Sequence, residues 1–252
     1  KFEFRMVGSA FSISGPIIVL NTIVAESLSQ FADELETSKD FNSDMQKLIV
    51  STIKKHKRIV FNGNNYSDEW VEEAKSRGLL NLKDTVSAIK HFISPKNVEL
   101  FCKHKVFAKN EIYSRYEILL ENYAKTLNIE ALTLIDMVKK DILPACFSYM
   151  QALLNVNASK QAAGIKTTDD AETSLIELIS ALTSSAYRKL NLLEQTVTNS
   201  KHSDACEHAE YFKDKVIPAM NELRAVIDQL EQNVSKSVWP YPDYMDLLYS
   251  VD

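Results

Sequence analysis

Glycine and proline are scarce, with five and six in 252 residues. Each weakens or kinks a helix interior, so their scarcity favours long helices. Cysteine is scarcer still: Cys102, Cys146 and Cys206 are the three present, and no CxxC occurs. An odd, unpatterned set argues against a disulfide framework and for a reducing compartment. Positive charge has no excess either, since the formal net charge is −5. A nucleic-acid binder starts from a basic footprint, so that partner class is excluded. Long hydrophobic runs are missing. The most apolar stretch, residues 10–25, is broken by Ser12, Ser14, Gly15, Pro16, Asn21 and Thr22. It is too short and too interrupted to span a membrane. Glu3 and Arg5 precede it, which does not suit a signal peptide. No P-loop, nucleophile elbow or dinucleotide fingerprint is present.

What remains is an ordinary globular composition, 45% hydrophobic and 25% charged, long enough for one large domain or two small ones. Residues 1–6 alternate, with Phe2 and Phe4 apolar and Lys1, Glu3 and Arg5 polar, the period-two pattern of a strand. Everything after it reads as helix. Pro16 suits the first turn of a helix running to about residue 36. Residues 40–57 carry an apolar face of Phe41, Met45, Leu48, Ile49 and Ile53. A turn cluster at 62–65 precedes a short helix capped by Ser67 and ended by Gly78. Residues 83–92 and 95–104 give two more short helices. Residues 110–127, 130–160, 170–200 and 204–239 then form long, charged, periodic helices, expected to pack as an antiparallel bundle. Pro144 and Pro218 sit inside helical patterns in similar settings and predict kinks. The tail Trp239-Pro240-Tyr241-Pro242 cannot be helical throughout, and aromatics this dense at a terminus dock on something.

The segment richest in chemistry is Lys1-Phe2-Glu3-Phe4-Arg5, which sets a carboxylate between two cations on one strand face. A hard divalent cation takes carboxylate ligands, and arginine offers a planar fork to phosphate. A surface strand with an ordinary ion ladder has the same pattern.

Lys1-Phe2-Glu3-Phe4-Arg5-Met6-Val7-Gly8-Ser9 resembles the late active-site strand of glutamine synthetases in their type III form. The segment from Ile17 through Glu26 to Leu28 is similar to the helix that follows it. The block Lys54-Lys55-His56-Lys57-Arg58-Ile59-Val60-Phe61-Asn62-Gly63-Asn64 resembles the C-terminal region of that family. So do Ser114-Arg115-Tyr116-Glu117, Glu121-Asn122-Tyr123, Asn128 to Leu132 and the Trp239-Pro240-Tyr241-Pro242 tail. The resemblance implies a glutamate–ammonia ligase using ATP with Mg²⁺ or Mn²⁺, through γ-glutamyl phosphate. It implies that Glu3 ligates the metal, Arg5 binds the phosphoryl group in transfer, and Lys1 lies near the nucleotide phosphates. It further implies a cytoplasmic homo-oligomer, a dodecamer of two hexameric rings, with glutamate and ammonia as substrates. The rest of such an active site precedes Lys1 in an intact relative, so this chain alone is expected to be inactive.

The expected fold class is mainly α: a bundle of long antiparallel helices, preceded by a short strand and helix from the end of an α+β catalytic domain. The domains expected are residues 1–36, ending the catalytic domain, 37–108, of shorter helices, and 109–252, the bundle with its docked tail. The rival reading is a stand-alone helical protein-interaction module without catalysis. Two weaker features stand apart. His202 and Cys206 share a helical face, with His208 and Glu210 near, which reads as a surface helix end rather than a metal site. Trp70 and the 62–65 turn read as packing rather than ligand contact.

Overall fold

The computed structural model describes residues 12–64, 66–165 and 170–249. The strand expected over 1–6, with Lys1, Glu3 and Arg5, lies outside the described residues. Among those described there is no strand. The helices are α1 (Ser14–Leu35), α2 (Phe41–His56), α3 (Asp68–Ser76), α4 (Thr85–Ile89), α5 (Pro95–Lys103), α6 (Lys109–Met137), α7 (Leu143–Ala162), α8 (Ala171–Thr198), α9 (Ala205–Tyr211), α10 (Ile217–Asn233) and α11 (Tyr244–Tyr249). The mainly α class is therefore what the chain adopts. No helix among the described residues is long and apolar enough to cross a membrane. Contacts divide the chain into two compact units, Lys1–Tyr116 and Glu117–Asp252.

Short polar residues start these helices. Ser43 N–H donates to the Asp40 carboxylate at 3.2 Å, and Ser87 N–H to Asp84 at 2.8 Å. The Cys206 and Glu207 N–H groups both donate to Asp204 at 2.9 Å. Each bond satisfies a helix N–H that has no partner within the helix. At the end of α3 the chain turns through Gly78 at φ 72°. Leu79 N–H donates to Ala74 C=O and Gly78 N–H to Lys75 C=O, both at 2.9 Å, which closes the Schellman motif. Lys105 holds the same left-handed conformation after α5, at φ 53°, where a side chain is less at ease.

In the first unit α1 packs on α2 and α5. Phe101 is nearly fully buried, with the rings of Phe92 and Phe107 at 5.6 and 5.4 Å. The Arg115 guanidinium caps Phe107 at 4.4 Å.

In the second unit α7, α8 and α10 pack side by side. Their directions follow from end-to-end bonds. Lys160 and Asn157, late in α7, bond Glu172 and Thr173, early in α8 (2.7 and 3.1 Å). Tyr211, ending α9, donates to Thr196 C=O, late in α8, at 3.1 Å. Helix α7 thus runs antiparallel to α8, and α8 antiparallel to the continuous run of α9 and α10, as a bundle requires. Their shared core includes Cys146, Leu190, Phe212 and Leu223.

Two expected boundaries move. Helix α6 runs unbroken through Asn128 and Ile129, where a break was expected. Neither residue is a strong breaker, and burial of Ala124, Ala131 and Ile135 on one face carries the helix across. The last long helix ends at Asn233 rather than near Trp239, because Val234 turns extended at ψ 140°. Both internal prolines follow a π-turn: Val138–Ile142 precedes Pro144, and Phe212–Val216 precedes Pro218. Leu143 N–H reaches back to Val138 C=O and Ile217 N–H to Phe212 C=O. The widened turn makes room for a ring that would strike the carbonyl four residues back in a regular helix.

The tail docks on its own bundle. Val238, Trp239 and Tyr241 pack against the core, and the Tyr241 hydroxyl donates to Asp141 at 2.6 Å. Burial first, and this bond second, push the Tyr241 phenol up to about 12. Asp243 and Asp246 then cap α11 reciprocally (2.8 and 3.0 Å), while Lys236 pairs with both (3.0 and 2.6 Å).

Candidate functional site

Lys1, Glu3 and Arg5 carry the sequence argument for chemistry, and all three lie outside the described residues. The described element that follows them is α1, so its anchorage bears on how such a strand would be held. Ser12 to Ala25 contains no charged residue, and Glu26 is the first. Its carboxylate is the hub of a cluster on α1 and α5. Lys103 donates at 2.9 Å, the Gln30 amide at 2.8 Å, and the His104 Nε2 lies 2.6 Å away. Hydrogen bonds from Lys103, then Gln30, then His104 hold Glu26 down at about 2. The same pairing raises Lys103. One turn earlier Thr22 is buried, and its hydroxyl donates to Ile18 C=O at 2.7 Å. This node was not singled out from sequence. A lone carboxylate closing an uncharged run, with Lys103-His104 ending a distant helix, is the signal that could have found it.

A second constellation fixes the segment between α2 and α3. Phe61 stacks on Trp70 with centroids 4.0 Å apart and planes 24° from parallel. The Arg77 guanidinium lies 5.4 Å from the Trp70 centroid and donates to the C=O groups of Val60 at 2.9 Å and Arg58 at 3.2 Å. Arg77 also pairs with Glu73. The arginine thus ties a loop with few backbone bonds of its own to the aromatic stack. A Cβ at Gly63 would lie 2.8 Å from the Phe61 ring, so a larger residue there would have to displace that ring. Trp70 is accounted for by this packing.

At the turn between α8 and α9, His202 lies against Tyr211 and His208 against Phe212, each at 5.1 Å. The two imidazoles are 6.4 Å apart. Burial first and His202 second keep His208 below the ordinary histidine range. Among the described residues no group of three His, Cys, Asp or Glu side chains could hold a metal. Burial also pushes the Cys146 thiol up to about 11, which removes it as a nucleophile at neutral pH. The described part of the chain therefore shows anchoring and packing clusters, not a convergent catalytic set.

The family model for the glutamine synthetase C-terminal domain matches residues 44–161, from within α2 to the end of α7. The type-3 glutamine synthetase of Dictyostelium discoideum is 38% identical over 261 aligned positions, covering 99% of this chain. The chain belongs to the glutamine synthetase family. A glutamine synthetase of Butyrivibrio fibrisolvens is 36% identical over 84% of the chain, and one of Bacteroides fragilis (strain YCH46) is 27% identical over 99%. The chain spans only about a third of these relatives, 35%, 30% and 36% of their lengths. Within this glutamine synthetase segment the matched region contains the Phe61–Trp70–Arg77 stack and the Lys103-His104 end of the Glu26 node. Glu26 itself precedes the region, as do Lys1, Glu3 and Arg5.

Proposed function

We propose that this chain is the C-terminal portion of a type III glutamate–ammonia ligase, in which ATP phosphorylates glutamate and ammonia displaces the phosphate. The observation that carries the reading is a likeness running over 99% of the chain to a protein named as a type-3 glutamine synthetase. In this proposal residues 1–36 end the catalytic α+β domain, 37–108 form a region of shorter helices, and 109–252 form a bundle serving assembly. The parent is a cytoplasmic homo-oligomer, a dodecamer of two hexameric rings.

Glu3 supplies a carboxylate suited to a hard cation, Mg²⁺ or Mn²⁺. In this proposal its further ligands come from the part of the enzyme that precedes Lys1. When bound, the cation neutralises phosphate charge. The Arg5 guanidinium pairs with the oxygens of the phosphoryl group in transfer, and Lys1 with the nucleotide phosphates. Positioned charge is what phosphoryl transfer needs. Supporting this reading, the first half of α1, up to Ala25, carries no charge yet is largely exposed, with Ile17 at 45% and Val24 at 55%. A helix apolar all round belongs inside a larger body.

The test compares the full-length enzyme, its Arg5→Ala variant and the polypeptide starting at Lys1. Arg5→Ala should lower kcat by about 10²–10³-fold with little change in melting temperature. The polypeptide starting at Lys1 should show no glutamate- and ammonia-dependent ATP turnover. Unaltered kcat in the variant, or steady turnover by the short polypeptide, would overturn the proposal.

A further inference from the structure

The backbone from α6 through the π-turn into α7 is continuously helical, and its side opposite the core is open. Ile118, Ile129, Leu132, Phe147 and Leu154 lie along that side, 45–65% exposed. These positions and Asp136 and Lys140 between them are separated by sums of threes and fours, the spacing that keeps residues on one side of a helix. Between the apolar positions stand Asp136 and Lys140, which pair with each other and are 58% and 70% exposed.

The middle of the stripe, from Ile129 to Phe147, is self-complementary. Turn a second copy about a two-fold axis that passes between the helices level with Val138, so that the two run antiparallel. Each residue then meets the one equally far on the other side of Val138. Ile129 falls opposite Phe147, Leu132 opposite Pro144, and Asp136 opposite Lys140, each pair occurring twice. No like charges oppose one another along this register. A shallow hollow lined by Ile129, Leu132, Thr133 and Asp136 lies where the partner's Phe147 ring arrives. An isologous interface needs this self-matching of one patch.

We propose that this face of α6–α7 is a two-fold contact between copies of the chain, with Phe147 as its anchor and crossed Asp136–Lys140 pairs fixing register. The inference rests on the reading that the bundle serves assembly, and it names the surface and the partner. A large aromatic seated in a desolvated hollow dominates such contacts, and charge matching selects the orientation.

The experiment uses the full-length protein. Sedimentation equilibrium should show Phe147→Glu shifting the assembly to half its mass, with the dissociation constant of the contact raised about 30-fold or more. Asp136→Lys should weaken association about tenfold, and Asp136→Lys with Lys140→Asp should restore it. Geometry is checked by a short thiol cross-linker in a Cys102→Ser, Cys206→Ser background. Ile129→Cys copies mixed with Phe147→Cys copies should cross-link, while neither should cross-link alone. Equivalent sites in one antiparallel pair, like the two positions within one chain, lie about 27 Å apart at 1.5 Å per residue. Undiminished mass in Phe147→Glu, no restoration by the double charge swap, or no cross-link in the mixture overturns the proposal. Deleting the bundle separates the two readings. If that alters the oligomer while Phe147→Glu does not, this face is wrong and the assembly role stands. If neither alters it, both fall.

Discussion

A single carboxylate holds much of the tie between α1 and α5. Glu26 accepts from Lys103, Gln30 and His104, and its pKa falls from 4.5 to about 2. A depressed carboxylate stabilises the fold above its unfolded pKa, and that contribution is lost as pH falls through the folded value. Glu26→Gln keeps the shape and removes the charge. At neutral pH the variant should melt below the parent. The gap should close as pH drops from about 4.5 to about 2. Thermal melts of both proteins across that range check this, and a gap independent of pH would refute the electrostatic account. Legibility at this scale was uneven. Asp40, Asp84 and Gly78 sit where helix chemistry places them. Lys105 in a left-handed turn carries no such mark, since lysine does not favour that conformation. Glu26 was visible only as the first charge after an apolar run, and its partners 77 and 78 residues away were not.

Elements turn on two prolines. Their matching contexts, Asp141-Ile142-Leu143-Pro144-Ala145 and Lys215-Val216-Ile217-Pro218-Ala219, were plain in the sequence. The form of accommodation was not, because a π-turn depends on the packing that fixes register on either side. Val138 and Ile142 before Pro144 are buried, as are Phe212 and Val216 before Pro218. A π-turn amounts to one residue inserted into an α-helix. Deleting Lys139 should let the segment close into regular helix with Val138 and Cys146 still facing the core. Pro144 would then lie in a helix interior, at a cost of about 3 kcal/mol. The deletion alone should therefore lower urea stability by about that much, and the deletion combined with Pro144→Ala should recover most of it. Equal loss in both would mean that the π-turn has a purpose other than seating the proline. The continuity of α6 through Asn128 is hidden in the sequence for a related reason: local propensity there is weak, and buried alanines on one face outweigh it.

For the whole molecule, the bundle was legible because its periodicity is long and its breakers few. The destination of the tail was not, since the apolar face that receives Trp239 and Tyr241 is assembled from separate helices. The strip of Lys1, Glu3 and Arg5 poses a different problem, for the role proposed for it depends on residues outside this sequence. Helix α1 carries that dependence in its surface. Ile17, Val24 and Leu28 lie on one side of it at helical spacing, 45%, 55% and 61% exposed. If they await the rest of a catalytic body, they contribute little to the stability of this polypeptide alone. Replacing all three, Ile17→Lys, Val24→Glu and Leu28→Lys, should leave its melting temperature within about 2–4 °C, as surface substitutions do. The same triple change should reduce binding of a hydrophobic dye by the isolated polypeptide. In the full-length enzyme it should prevent folding, because charges would enter an apolar interior without partners. A large drop in the short polypeptide with none in the long one would mean that α1 is already fully packed here and faces water in the parent.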